Sequence, residues 1–450
     1  MPSGIPDYGP LPAAAPVTDA AAATIAAESS QPARIVSIDA LRGFVMFTMI
    51  FVNDLAGVSN KIVPKWMKHF HGRSGMTFVD MVFPAFLFIV GMSIPFALGP
   101  RIKRGEPMWK IVLHVLVRTA SLLVLGIMMV NAESPTAMPY GWSLPKGMSP
   151  DDLWITLMFV SGIFAFCSIS PRRDATAGKK RVFFIVTTCL RVIGFAGLIY
   201  LAFVYQNDDG GRIITLSPFS IHTDWYGILG LIGWAYLMGA IAYLVFRTNR
   251  TALLGCVVLL MCFFPADKKG FFEGFFLSNY VGFGDTLGSQ GAITVAGVLL
   301  ASILVDPEAV SLWARTKFTL LFAGGFAAAA LLVQGLYGIN KDNATPSWCL
   351  WACTFTGILW LLFYYLADAF PGGAGSKIAK PLRIAGQNVL LAYLLSEMFP
   401  GLIDLIRLGD WYDHLAEPYL FYAVLRSAAC GVFILAVAVG LNKVGFRLKL

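Results

Sequence analysis

An all-α polytopic membrane protein, with about 11–12 transmembrane helices and both termini cytoplasmic, is the architecture to expect of this 450-residue chain. Three observations lead there. The chain is 57% hydrophobic and only 13% charged, against roughly 25% charged residues in a soluble domain. Apolar stretches close to the ~20 residues that cross a ~30 Å hydrocarbon core recur from residue 36 to residue 442. Basic residues also gather in alternate connections, the asymmetry that orients membrane helices. A β-barrel would show short alternating strands instead.

The first 33 residues are rich in Ala and Pro, with Asp19 and Glu28 breaking any apolar run. They have neither the basic start nor the apolar centre of a signal peptide and read as a disordered cytoplasmic tail. Residues 34–450 read as a single transmembrane domain. Its apolar stretches lie near 37–56, 78–98, 111–131, 152–169, 182–204, 225–246, 251–265, 288–305, 317–338, 347–369, 383–405 and 419–441.

The first stretch carries Asp39 and Arg42, three apart and so on one helical face at its cytoplasmic end. Asn53 lies about 21 Å further along at 1.5 Å per residue, near the outer end. The connection over residues 54–77 should face outward, yet it holds Lys61, Lys65, Lys68 and Arg73. A segment that breaks the charge rule is a candidate for function. It leads through WMKHFHGRSGMTFVD into the second stretch, where Thr77-x-x-Asp80 has the spacing of a capping box.

Basic residues follow the second stretch at Arg101, Lys103 and Arg104, and the fourth from Arg172 to Arg181. They follow the sixth at Arg247 and Arg250 and the tenth at Lys377, Lys380 and Arg383. The third stretch holds Arg118 and ends on Asn131, the fifth holds Arg191 and the twelfth Arg426. Such residues are costly in lipid unless paired or facing a cavity, so they serve either as structural ion pairs or as an anion-accepting interior. The seventh stretch, GCVVLLMCFF, is short enough to be re-entrant or buried. VGFGDTLG at 281–288 lacks the spacing and the βαβ surroundings of a dinucleotide site and reads as a loop. The eleventh stretch is lined by Gln387, Asn388 and Glu397.

The net charge of +8 is explained by this topology, so no nucleic-acid partner is implied; the bilayer is the partner. The seven cysteines all sit in or beside apolar stretches without a CxxC pair, which points to packing and away from disulfides or a metal. Small-residue runs such as GFAAAAL at 325–331 could join two protomers in a homodimer or pack helices within one chain, and the second is the expectation.

His69 follows the Trp66-Met67 anchor at the outer interface and suits a general base, although an interfacial histidine without chemistry is the commoner case. At this point the sequence resembles a known family. RIVSIDALRGFVMFTMIFVN and WMKHFHGRSGMTFVDMVFPAFLFIVG are similar to the heparan-α-glucosaminide N-acetyltransferase family of transmembrane acyltransferases, in its bacterial branch. RTASLLVLGIMMVN, WYGILGLIGWAYL, GINKDNATPSW and AGQNVLLAYLLSE extend the similarity over roughly residues 34–441.

The resemblance implies a multi-pass protein of the bacterial inner membrane. It implies transfer of an acetyl group from cytosolic acetyl-CoA, as co-substrate, to an amino sugar or other small saccharide on the periplasmic side, with no metal. It places catalysis on His69 with Asn53, and Asp80, by its place beside them in sequence, is expected to orient His69 or bind sugar hydroxyls. Asp39, Arg42, His71, Arg118, Asn131, Asn388 and Glu397 are the expected acyl-CoA and acceptor contacts. An extra residue between His69 and Gly75 keeps His71 as an alternative base. Direct transfer and an acetyl-histidine intermediate both fit. A sugar permease is the alternative function, since many helices with buried charges also suit transport; the absence of an evident internal repeat counts against it.

Overall fold

In hydrocarbon every backbone N–H and C=O must find its partner within the protein, and helices achieve this locally. The computed structural model describes residues 35–132, 137–139, 142, 149–171, 176–207, 211–217, 219–221, 226–306, 311–370 and 373–450. The expected N-terminal tail lies outside the described residues. Ile35–Leu450 forms one compact unit.

The helices are α1 (Val36–Ala56), α2 (Val82–Lys103), α3 (Met108–Ala132), α4 (Pro150–Ala165), α5 (Ala177–Val204), α6 (Gly227–Phe246) and α7 (Arg250–Lys268). They continue as α8 (Gly291–Val305), α9 (Leu312–Tyr337), α10 (Pro346–Tyr364), α11 (Ala374–Ala385), α12 (Val389–Leu405), α13 (Gly409–His414) and α14 (Leu420–Lys443). Among the described residues, 10 are long and apolar enough to cross a membrane, or up to 11 if Gly375–Ala385 and Val389–Leu405 form one bent span. The chain is an all-α polytopic membrane protein.

Four elements differ from the sequence expectation. Helix α4 has 16 residues, about 24 Å at 1.5 Å per residue and so shorter than the ~30 Å core. The seventh stretch is a continuous 19-residue helix, α7, because Arg250 to Leu254 at its start and Pro265 to Lys268 at its end extend the short apolar run. VGFGDTLG is not a loop: Phe283–Gln290 is a π-helix that runs directly into α8. The eleventh stretch is broken by 67° between α11 and α12, at Gly386-Gln387-Asn388. Breaks of this kind are tolerated in a membrane where backbone lines a cavity or is buried in protein.

Short antiparallel pairs tie helix ends together. β1 (Ala137–Pro139) pairs with β3 (Tyr205–Asn207), beyond α3 and α5. β2 (Cys167–Ile169) pairs with β6 (Phe446–Leu448) beside the chain's end, and β4 (Ile214–Leu216) pairs with β5 (Phe219–Ile221). The span Phe283–Val305 is the core of the bundle, 89% buried, whereas Ala177–Val204 is 11% buried and turns Phe184 and Val192 outward toward lipid. Helices α2 and α8 touch backbone to backbone. A Cβ at Gly91 would lie 1.9 Å from Thr294 O, and one at Gly297 2.1 Å from Phe88 O. No larger residue fits at either position.

The intramembrane arginines divide between the two expected roles. Arg426 is a structural ion pair: its Nη2 lies 3.1 Å from Asp54 Oδ2, and Ser427 and Tyr412 hydroxyls donate to the same carboxylate at 2.5 and 2.6 Å. Arg191 Nε donates to Ala165 O at 3.2 Å and so ties α5 to α4. Arg118 lines a cavity. On α9, Gly324 and Gly325 face open space, so the GFAAAAL run is only partly used for packing within the chain.

Candidate functional site

Two of the cavities in the bundle hold residues singled out by the sequence. One, of about 560 Å³, is lined by Asn53, His69, Tyr226, Tyr280, Asp285, Gln290 and Lys341 among others. The second, of about 460 Å³, is lined by Arg42, Ser93, His114, Arg118, Tyr236, Gln387, Asn388 and Lys449 among others. Met49 and Ile228 line both, so the cavities abut end to end. Arg42 and Asn53 on α1 mark the two ends, about 16 Å apart along the helix.

His69 is positioned by a folded connection. Met67 is buried with Leu55, Val58, Val63, Ala416 and Ala423, while Lys68 Nζ donates to the carbonyls of Val58 and, at 3.3 Å, Ala56. Lys68 thereby satisfies backbone acceptors at the end of α1, where a cation also complements the helix dipole. That accounts for one of the cations that break the charge rule. His69 Nδ1 lies 2.8 Å from Asp80 Oδ1. Asp80 is 1% exposed, and its Oδ2 accepts the Phe70 N–H at 3.1 Å and the Thr77 N–H at 2.9 Å. The capping box is therefore half formed. Asp80 reaches back to Thr77, but the Thr77 hydroxyl donates to Lys68 O at 2.8 Å, away from the helix start.

The segment after α9 docks on this connection. Gly75 N–H donates to Ile339 O at 2.8 Å, Ile339 N–H to Ser74 Oγ at 3.0 Å, and Asn340 Nδ2 to Gly72 O at 3.3 Å. The docking brings Lys341 Nζ to 3.0 Å from His69 Nδ1. Burial holds the Lys341 ammonium below the usual lysine range, against the opposing pull of Asp80 and Asp342. Nδ1 offers one in-plane site, either a proton or a lone pair, so Asp80 and Lys341 compete for it. When Asp80 receives the proton of Nδ1, Nε2 carries the lone pair. Among the described residues Nε2 has no hydrogen-bond partner.

Asn53 Nδ2 donates to Glu397 Oε1 at 3.2 Å, which links α1 to α12 and leaves its second amide proton for a ligand. At the other end, Arg42 bonds Asp39 Oδ1 at 3.0 Å, Gly386 O at 3.3 Å and Ser93 Oγ at 2.5 Å. Arg118 stands over the Tyr236 ring, 4.7 Å from its centre, and its buried Nε has no hydrogen-bond partner. Asn388 joins the helix break to β6, with Nδ2 donating to Phe446 O at 3.2 Å and Oδ1 accepting from Leu448 N at 3.3 Å.

Of the residues expected from sequence, His69 and Asn53 meet in the first cavity, with Asp80 directly behind His69. Arg42, Arg118 and Asn388 meet in the second, with Asp39 behind Arg42. His71 is exposed and lines neither. Asn131 is buried and donates to Ile127 O at 2.8 Å, within its own helix, and Glu397 lines neither cavity but accepts from Asn53. Sequence reasoning missed Lys341, Asp285, Gln290 and His114. Lys341 lay inside GINKDNATPSW, and Asp285 inside the run dismissed as a loop. Among the described residues, no three His, Cys, Asp or Glu side chains gather as a metal site would.

Comparison with known proteins adds a family. Residues 34–270 match the model of a family described as Domain of unknown function (DUF5009). Over 103 residues, 23% of this chain, it is 32% identical to heparan-alpha-glucosaminide N-acetyltransferase of Homo sapiens. Over 98 residues, 22% of this chain, it is 31% identical to the Mus musculus protein of that name. The matches span 15% and 14% of those relatives' own lengths.

Proposed function

We propose that this chain, which belongs to the family described as Domain of unknown function (DUF5009), is a membrane acetyltransferase acting from acetyl-CoA on an amino sugar or related saccharide. The observation that carries this reading is the opening of the His69–Asp80 pair into a cavity that abuts a cation-lined one across Met49 and Ile228. The donor's phosphates suit the Arg42 end, where Arg118 holds an unmet buried donor. Its pantetheine arm is narrow and runs toward the neck, so the thioester reaches the cavity of His69.

There His69 Nε2 takes the proton of the attacking amine, or attacks the thioester carbon itself to carry the acetyl group. In both routes the coenzyme leaves as a thiol. Asp80 holds the tautomer that leaves Nε2 basic and stabilises the imidazolium as it forms. The second Asn53 amide proton serves the developing oxyanion, an interaction whose loss elsewhere costs about 2.7–4 kcal/mol. In this reading the Arg42 end faces the cytoplasm and His69 the far side of a bacterial inner membrane, an orientation that the basic connections Arg101–Arg104 and Lys377–Arg383 support.

Abutting cavities also suit a sugar permease, but that reading gives the His69–Asp80–Lys341 cluster no task. The test is acetyl transfer from radiolabelled acetyl-CoA to glucosamine by the purified full-length protein, beside His69→Ala. Transfer should fall by about 10²–10⁴-fold in the variant. If both proteins are inert while reconstituted vesicles take up sugar, the permease reading replaces this one.

A further inference from the structure

The wall of the first cavity that the mechanism leaves unused is the π-helix Phe283–Gln290. Such helices are rare and recur at functional sites, because they aim side chains that an α-helix would spread around its circumference. Here Asp285, Thr286 and Gln290 all line the cavity that holds His69. Gln290 is 7% exposed, and among the described residues its Oε1 has no hydrogen-bond partner. A buried amide oxygen left so loses its hydration without compensation unless a ligand donates to it. Asp285 is half-buried and has no cationic partner among the described residues; its Oδ1 accepts the Thr286 N–H at 2.6 Å.

The glycines of the run explain the placement of that carboxylate. A Cβ at Gly282 would lie 1.9 Å from Asp285 Oδ1, so the carboxylate occupies space that only glycine leaves. Tyr226 and Tyr280, lining the same cavity, offer ring faces beside these acceptors. This wall accepts hydrogen bonds and carries negative charge. Lys341 and Asp342 also line the cavity, side by side in sequence, so the ammonium of Lys341 offsets the carboxylate of Asp342.

From this we infer that Asp285 and Gln290 form the acceptor subsite, with Asp285 binding the acceptor's amine as its ammonium and Gln290 a hydroxyl of the same molecule. The ligand class is a polyhydroxylated primary amine. Binding the ammonium at Asp285 holds the acceptor in the cavity until one of its protons passes by way of the Asp285 carboxylate to solvent, which leaves the nitrogen nucleophilic and its second proton for His69 Nε2. The inference rests on the acetyltransferase reading for the name acceptor, and its test does not require turnover.

Calorimetric titration of the full-length protein with glucosamine and with glucose, without acetyl-CoA and at mildly acidic pH, reads the site directly. Wild type should prefer glucosamine. Asp285→Asn should remove that preference, a change of about tenfold or more. Gln290→Leu should weaken both ligands. Gly282→Ala, which displaces the carboxylate without deleting it, should reproduce the Asp285→Asn result, and the melting temperature of each variant reports its folding. The preference should survive Asp342→Asn, which changes the other carboxylate lining the cavity, the exposed one beside Lys341; a preference lost there and kept in Asp285→Asn assigns the ammonium to Asp342 and overturns the subsite. A wild type without preference, or a preference that persists in Asp285→Asn, overturns the subsite. If Asp285-dependent amine binding is present but no acetyl transfer occurs, the acetyltransferase reading falls and the subsite stands.

Discussion

The two cavities share walls at Met49 and Ile228 and are close in volume, about 460 and 560 Å³, yet their chemistry is opposite. Each contains one histidine. His114 stands among Arg42, Arg118 and Lys449, and among the described residues no carboxylate hydrogen-bonds it. His69 has Asp80 at 2.8 Å and Lys341 at 3.0 Å. Two half-buried imidazoles are thus prepared for different work. The cation-lined cavity can hold an anion but has nothing to set a tautomer. The His69 cavity can set a tautomer because a buried carboxylate, itself held by two backbone N–H groups, fixes Nδ1. What separates a binding chamber from a reacting one here is the layer of residues behind the imidazole.

The sharpest way to break this division is to close the neck. Met49→Trp, or Ile228→Trp as an independent variant, places a ring where the two cavities meet. Because the reaction requires the thioester and His69 in one place, acetyl transfer should fall by about 10²-fold or more, the cost expected when reacting groups are misplaced. Glucosamine and acetyl-CoA should each still bind, measured separately by calorimetry. Retained transfer would show that the donor reaches His69 by another route.

A smaller effect is expected from Arg118→Met. The change keeps most of the side-chain volume and removes a guanidinium whose buried Nε is unmet. A hydrogen bond to a charged group contributes about 1.5–3 kcal/mol. The KM for acetyl-CoA should therefore rise by about tenfold or more while kcat changes little, as befits a residue far from the reacting atoms. A fall in kcat with unchanged KM would move Arg118 from donor binding to the chemistry and erase the contrast between the cavities.

How much of this was legible in sequence follows from the range of the interactions. The spans were readable because lipid imposes length and apolarity on each helix separately. His69, Asn53 and Asp80 fall within one local run, where a motif can be seen. Lys341 meets His69 only because the turn after α9 docks on Gly72, Ser74 and Gly75, a contact 272 residues away in sequence. The π-helix at Phe283–Gln290 was misread for a different reason. Its three glycines at 282, 284 and 288 signal a turn, whereas here they permit close packing, Gly288 against the Leu260 backbone and Gly284 against Asp267. The bend at Gly386–Asn388 was hidden because apolar residues continue on both sides of it.

The smallest effect, and the one that tests the division most finely, concerns Lys341. Its folded form gives up a proton more readily than the unfolded chain, because burial outweighs the attraction of Asp80 and Asp342. Between the lowered folded value and the ordinary 10.5 of a lysine in the unfolded chain, the unfolded state binds more protons, so stability rises with pH across that window. Lys341→Met should remove this slope, measured as melting temperature against pH. In activity the same residue acts on His69. While charged, Lys341 can only donate, so it favours a bare Nδ1 and competes with the Asp80-bound tautomer that frees Nε2. As pH rises and Lys341 becomes neutral, that competition ends. Lys341→Met should therefore shift the ascending limb of kcat to lower pH, on the order of one unit or about 1.4 kcal/mol. Removing a nearby cation has the opposite electrostatic effect, since it makes an imidazole easier to protonate and would move the limb to higher pH. The direction of the shift decides between the two. A downward shift assigns Lys341 to tautomer control beside Asp80, and an upward one reduces it to a field acting on a histidine that Asp80 alone has set.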